Sequence, residues 1–96
     1  MVDSIKIQSF EQLHAWQEAQ TLAVFVYTII KQFPKNEIFG LTSQIKRASS
    51  SVSANIAEGF GRRTIADKLH FYAIAYGSLL ETKNFPHLIL SFENIY

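Results

Sequence analysis

Apolar residues return every three or four positions along three stretches of the chain, the repeat of α-helices that each turn one face toward a core. In the first stretch Leu13, Trp16, Ala19, Ala23, Val26, Tyr27 and Ile30 form one stripe, which Leu22, Phe25, Ile29 and Phe33 widen in its second half. Only Gln17, Thr21, Thr28 and Lys31 keep a polar strip, and a helix apolar over more than half its circumference is expected to be contacted from two sides. Ser9 followed by Gln12 fits a capping box and places the start near residue 9. Pro34 ends the helix, because the residue before a proline is pushed out of the helical region.

The second stretch, from Gly40 to Arg63, carries Leu41, Ile45, Ala48, Val52 and Ile56 on one stripe, with Asn36 or Thr42 as its cap. Asn55 falls on the same side, where a buried amide finds partners or costs about 1 to 3 kcal/mol. It is read as a register residue, the role a buried polar group has in coiled coils. Ser49, Ser50, Ser51, Ser53, Ala54 and Ala57 flank the stripe and are short enough to admit another helix closely. Gly59 and Gly61 stand where glycine at C′ lets a helix stop.

Thr64, with Asp67 three residues on, resembles another cap, and the third helix is expected from Ile65 to Phe85. Ile65, Leu69, Tyr72, Tyr76 and Leu79 make one face, and Phe71, Ile74, Ala75 and Ser78 a second beside it. Gly77 costs about 1 kcal/mol relative to alanine in mid-helix, which predicts another backbone close by. Pro86 is expected to kink or end this helix. For His87 to Tyr96 a short helical turn or two, an extended tail and a docking segment all remain open. The predicted class is all-α, one domain over residues 1–96, with helices over about 9–33, 37–59 and 64–85 and a short tail over 87–96.

Composition sharpens this picture at two points. The chain is 48% hydrophobic and 18% charged, against about 25% charged in ordinary soluble domains. That excess favours an oligomer or a partner over a lone monomer, the alternative being an aromatic-rich core. The net charge of +1 leaves any nucleic-acid footprint local, since domain-wide binders often exceed a pI of about 9. Without cysteine there is no disulfide, thiolate nucleophile or sulfur-ligated zinc. The N-terminus lacks a leader pattern and no stretch approaches the roughly 18 apolar residues of a membrane span, so a soluble, cytoplasmic protein without membrane attachment is expected.

The candidate chemistry lies in the basic set Lys46, Arg47, Arg62, Arg63 and Lys68. Such residues hold phosphates by charge and bidentate guanidinium contacts; the plainer reading is a solvated face on which Arg47 pairs with Glu58. Glu58 is read as structural, accepting from a neighbouring helix end or from Arg62. The glycines of Gly59-Phe60-Gly61 lack the lysine of a phosphate loop. Asp67 and His70 make half of a ferritin-like carboxylate-histidine pair without the other ligands, so no metal and no cofactor are expected. His14 and His87 are isolated, and Trp16, Tyr72 and Tyr76 sit at helical spacing as core residues ahead of any base-stacking role. No nucleophile, base and orienting group converge, so no catalytic residue is assigned.

Several of these residues recur in a known pattern: Phe10, Glu11, Leu13, Trp16 and Ala19, then Phe33-Pro34, Gly40-Leu41, Gln44-Ile45, Arg47-Ala48, Ser51-Val52, Asn55-Ile56-Ala57-Glu58-Gly59 and Arg62, and finally Phe71, Ala75, Gly77-Ser78 and Glu81. In these the chain resembles the family encoded by intervening sequences of bacterial large-subunit (23S) ribosomal RNA genes, which includes the accessory protein of diversity-generating retroelements. The resemblance implies an antiparallel up-and-down four-helix bundle assembling into a homopentamer with a basic surface. For the accessory-protein branch it also implies binding of nucleic acid and a reverse transcriptase, without catalysis. Family members continue into a fourth helix, and here the C-terminal stretch is short, divergent or missing. The function expected is a non-enzymatic, oligomeric bundle protein that engages RNA, DNA or a nucleoprotein partner through the basic set. The alternative is a structural protein–protein interaction module. Asn55, Glu58, Gly59 and Gly77 are expected to be structural.

Overall fold

The computed structural model describes residues 7–32 and 40–95, with side chains through His87. Three helices follow a short 3-10 turn at Phe10–Gln12: α1 His14–Ile30, α2 Leu41–Phe60 and α3 Ile65–Ile95. The class is all-α. Both α1 and α3 pack on α2, and among the described residues their backbones make no approach to each other.

The helix ends show which local signals hold. At the first, the Gln12 side-chain oxygen accepts the backbone N–H groups of Gln8 and Ser9 at 2.6 and 3.2 Å. That device folds the 3-10 turn, and α1 begins only at His14, later than the capping box suggested. The expected end at Phe33-Pro34 lies outside the described residues, as does Asn36. Thr42 does not cap α2; Gly40 does, in the left-handed conformation at φ 68° that a side chain would oppose. Thr64 caps α3 as its position suggests, its hydroxyl accepting the Asp67 N–H at 3.0 Å. Gly61 is right-handed at φ −80°, so α2 stops without a left-handed glycine.

Pro86 does not end α3. The helix continues to Ile95, so of the readings left open beyond Pro86 the stretch follows the helical one, continuous with α3. On the near side of the proline Phe85 is buried in the core cluster with Val26, Ile30, Ile45 and Ala48, so the turn before the missing donor is fixed by packing.

The interior is built from small side chains on α2. Ala48 and Ser49 are fully enclosed, with Val52 and Ser53 beside them. The hydroxyls this buries are all matched: Ser78 donates to Ser51 at 2.9 Å, Thr82 to the Ser78 carbonyl at 2.8 Å and Ser49 to the Lys46 carbonyl at 3.2 Å. Asn55 is half-buried and donates to the Ser51 carbonyl and hydroxyl, both at 2.8 Å. Its hydrogen bonds stay within α2, and Ser51 links them to Ser78 of α3, so by hydrogen bonding it acts on register at second hand.

Two expectations for α3 change. Its packed side is Ala75, Ser78, Thr82 and Phe85, whereas Ile65, Leu69 and Tyr76 of the other predicted face are 75%, 60% and 62% exposed. Both faces are apolar, so periodicity did not choose between them. Nor does any backbone pass Gly77, where an added Cβ would meet nothing within 4 Å. The close approach is at Gly59 instead, where a Cβ would fall 2.7 Å from the Tyr72 ring.

Because α1 and α3 occupy diagonal corners about α2, an apolar groove runs between them. At one end Leu13, Val52, Ile56, Tyr72 and Leu79 line it; at the other Leu22, Phe25, Ile29, Ile45 and Pro86 enclose about 610 Å³.

Candidate nucleic-acid interface

The α2–α3 turn runs from Gly61 to Thr64, and hydrogen bonds from the Gly61 N–H to the Ala57 and Glu58 carbonyls and from the Arg62 N–H to the Gly59 carbonyl hold its backbone. Three of the five candidate cations stand here. Arg62 donates to the Glu58 carboxylate at 2.6 Å, one turn back along α2, and its guanidinium lies 4.4 Å from the centre of the Phe71 ring. Lys68 donates to the Phe60 carbonyl at 2.8 Å and lies 5.5 Å from that ring's centre, so it serves as a C-terminal cap on α2. Arg63 is exposed and enters no hydrogen bond or ion pair with the described residues.

The other two cations stand apart. Lys46 and Arg47 lie 14 and 13 positions before Phe60, where α2 ends and the turn bearing Arg62 begins, about 20 Å at 1.5 Å per residue. Lys46 sits 5.4 Å from the centre of the Tyr27 ring, whose hydroxyl shares a hydrogen bond with Ser50. Arg47 pairs with Glu81 of α3 at 2.6 Å, and with Glu58 it makes no contact, since Glu58 is taken by Arg62. The set is thus a three-cation turn and a separate pair midway along the bundle.

Glu81 and Phe71 were not singled out from the sequence as partners of arginines. The signal exists in the antiparallel register: Ser51 meets Ser78, so a residue four positions before Ser51 falls beside one three positions after Ser78. The Arg47–Glu81 pair is solvent-exposed, with side chains 59% and 40% accessible, and such pairs contribute about 0–1 kcal/mol. Glu81→Gln is accordingly expected to change stability by less than about 1 kcal/mol, read from urea unfolding.

Asp67 and His70 gain no third ligand: among the described residues no group of three or more His, Asp or Glu side chains converges. Glu58 and Glu81 are each engaged with an arginine. Of the aromatic residues read as core, Trp16 and Tyr72 are half-buried, Trp16 edge-on to Phe10 at 5.3 Å, while Tyr76 faces solvent. No helix among the described residues is long and apolar enough to cross a membrane.

With this arrangement in hand, comparison with known proteins finds one family model, described as 23S rRNA-intervening sequence protein, that matches residues 11–96. Among curated proteins nothing matches the chain.

Proposed function

This chain belongs to the 23S rRNA-intervening sequence protein family, and we propose that it is a non-enzymatic bundle protein that binds RNA, DNA or a nucleoprotein partner through the α2–α3 turn. The observation that carries this reading is Arg63, an exposed guanidinium that pairs with no carboxylate among the described residues, beside Arg62 on a turn whose backbone is fixed and near Lys68 in the first turn of α3. A phosphate reaching the turn meets Arg63 directly, and Arg62 is drawn from Glu58 at small cost, because exposed pairs hold weakly. Nothing in the turn reads base edges, so sequence specificity would be low. Affinity then comes from repetition: several copies of a modest site in a homo-oligomer bind an extended strand far better than one. Glu58 and Glu81 are both occupied by arginines, which supports a role without general-acid or general-base chemistry.

The test is fluorescence anisotropy of the protein against short RNA, single-stranded DNA and duplex DNA across a range of salt. Binding should weaken log-linearly with salt and be lost in Arg62→Glu/Arg63→Glu, with the slope counting the phosphates touched. Arg63→Glu alone breaks no contact and should lower affinity with the helical circular dichroism unchanged. Absence of binding at low salt in the folded protein would select the second reading, a protein–protein module. The observation favouring that reading is the exposed apolar set Val24, Phe25, Ile65, Leu69, Tyr76 and Leu80.

A further inference from the structure

We infer that a groove between α1 and α2 is a binding site for a phosphomonoester, whose phosphate is held by Lys31 and Lys46. Gln20, Val24, Tyr27 and Lys31 on the α1 side and Ser50 and Ser53 of α2 line this groove of about 430 Å³, within the range of small-ligand sites, and no residue of α3 reaches it. Hydroxyl, amide and ammonium groups share the lining with small apolar ones. No carboxylate is among them.

The register of the two antiparallel helices brings the cations together. Tyr27 and Ser50 share a hydrogen bond at 3.2 Å, and four positions after the one and four before the other stand Lys31 and Lys46, one turn further along the same face. The Lys46 ammonium lies 5.4 Å from the centre of the Tyr27 ring, which keeps it at the groove. Neither lysine pairs with a carboxylate among the described residues, where Glu58 and Glu81 are taken by Arg62 and Arg47. Two like charges on one wall repel, and an anion between them turns that repulsion into attraction. A phosphomonoester suits the pair best, since it carries close to two negative charges near neutral pH where a phosphodiester carries one. The hydroxyls add a donor: Tyr27 and Ser50 own one proton each and use one between them, so the other is left for a phosphate oxygen. Two turns back along α1, the exposed Gln20 amide makes no hydrogen bond with the described residues and is placed to meet the rest of the ligand. The site is independent of the nucleic-acid reading, because Lys46 stands about 20 Å from the turn that bears Arg62 and Arg63.

Isothermal titration calorimetry of the full chain, with adenosine monophosphate as the probe and adenosine as its phosphate-free control, tests the site. The nucleotide should bind with a Kd of about 1 mM or tighter, inorganic phosphate should displace it, and adenosine should bind at least about tenfold more weakly. Lys31→Gln/Lys46→Gln should weaken nucleotide binding by roughly tenfold or more with the helical circular dichroism unchanged. Arg62→Glu/Arg63→Glu should leave it as it is. If the lysine pair disturbs the fold, Lys31→Gln alone, which breaks no contact with the described residues, should still weaken binding severalfold. The source of the phosphate is read by competition: displacement by a 5′-phosphorylated oligonucleotide and not by its 5′-hydroxyl form assigns the site to a strand end, and displacement by neither assigns it to a free small ligand. No nucleotide binding at about 10 mM would overturn the proposal. So would adenosine binding as tightly as the nucleotide, or binding that survives the lysine substitutions and is lost with the arginine pair.

Discussion

Truncation of Phe85 to alanine is expected to lower the free energy of unfolding by about 3–5 kcal/mol, the range for emptying a buried aromatic site. Phe85 is 4% exposed and joins a core cluster to which all three helices contribute: Val26 and Ile30 of α1, Ile45 and Ala48 of α2. Among the described residues α1 and α3 have no backbone contact, so this ring helps bridge them, and its loss leaves a cavity that the small neighbours cannot fill. The following residue makes matters worse. Pro86 already denies the helix a hydrogen bond, so without the Phe85 anchor the segment from Pro86 to Ile95 has little reason to stay helical. Urea unfolding followed by far-ultraviolet circular dichroism would show both effects, a lower midpoint and a smaller native helical signal. A loss under about 1 kcal/mol would mean that α1 and α3 are held by something other than this contact.

How much of this was legible beforehand depended on whether a residue's partner was near in sequence. Thr64 with Asp67, and Glu58 with Arg62, lie within four positions, and propensity rules reach that far. The stripes Ala19–Ala23–Val26–Ile30 and Ile45–Ala48–Val52 were legible because each of those helices offers one strongly apolar side. On α3 the same rule failed for a physical reason: its apolar residues surround it, and only the register with α2, fixed by Ser51 against Ser78 and Gly59 against Tyr72, decides which side is inside. Pro86 was read by its local cost alone, whereas tertiary packing at Phe85 outweighs it. The basic set looked continuous in sequence terms because Lys46 and Arg47 share one helix and Arg62 and Arg63 follow its end; the helical rise separates the two pairs by about 20 Å, and Glu81 pairs with Arg47 from 34 positions away.

The two glycines read together as structural should separate sharply under the same substitution. At Gly59 a Cβ would lie 2.7 and 2.9 Å from Tyr72 ring carbons, closer than real Cβ atoms come, and 3.1 Å from the Phe71 Cβ, a tight contact in which the neighbour must give way. The Phe71 Cβ is attached to the α3 backbone and the Tyr72 ring is half-buried, so relief requires the two helices to part; Gly59→Ala is expected to cost about 1–3 kcal/mol, as overpacking does. At Gly77 the helix is exposed and an added methyl meets nothing, so Gly77→Ala should instead stabilise the monomer by about 0.5–1 kcal/mol. Thermal unfolding at low protein concentration gives both signs in one experiment, and equal shifts would contradict this account of the α2–α3 contact. The consequence for function follows from position. Gly59 opens the turn that carries Arg62 and Arg63, and Phe71, which the guanidinium of Arg62 faces at 4.4 Å, is one of the two residues a Cβ would displace. Gly59→Ala should therefore disturb the cationic turn as well as the fold, so that nucleic-acid affinity falls with stability, whereas Gly77→Ala leaves the turn as it is.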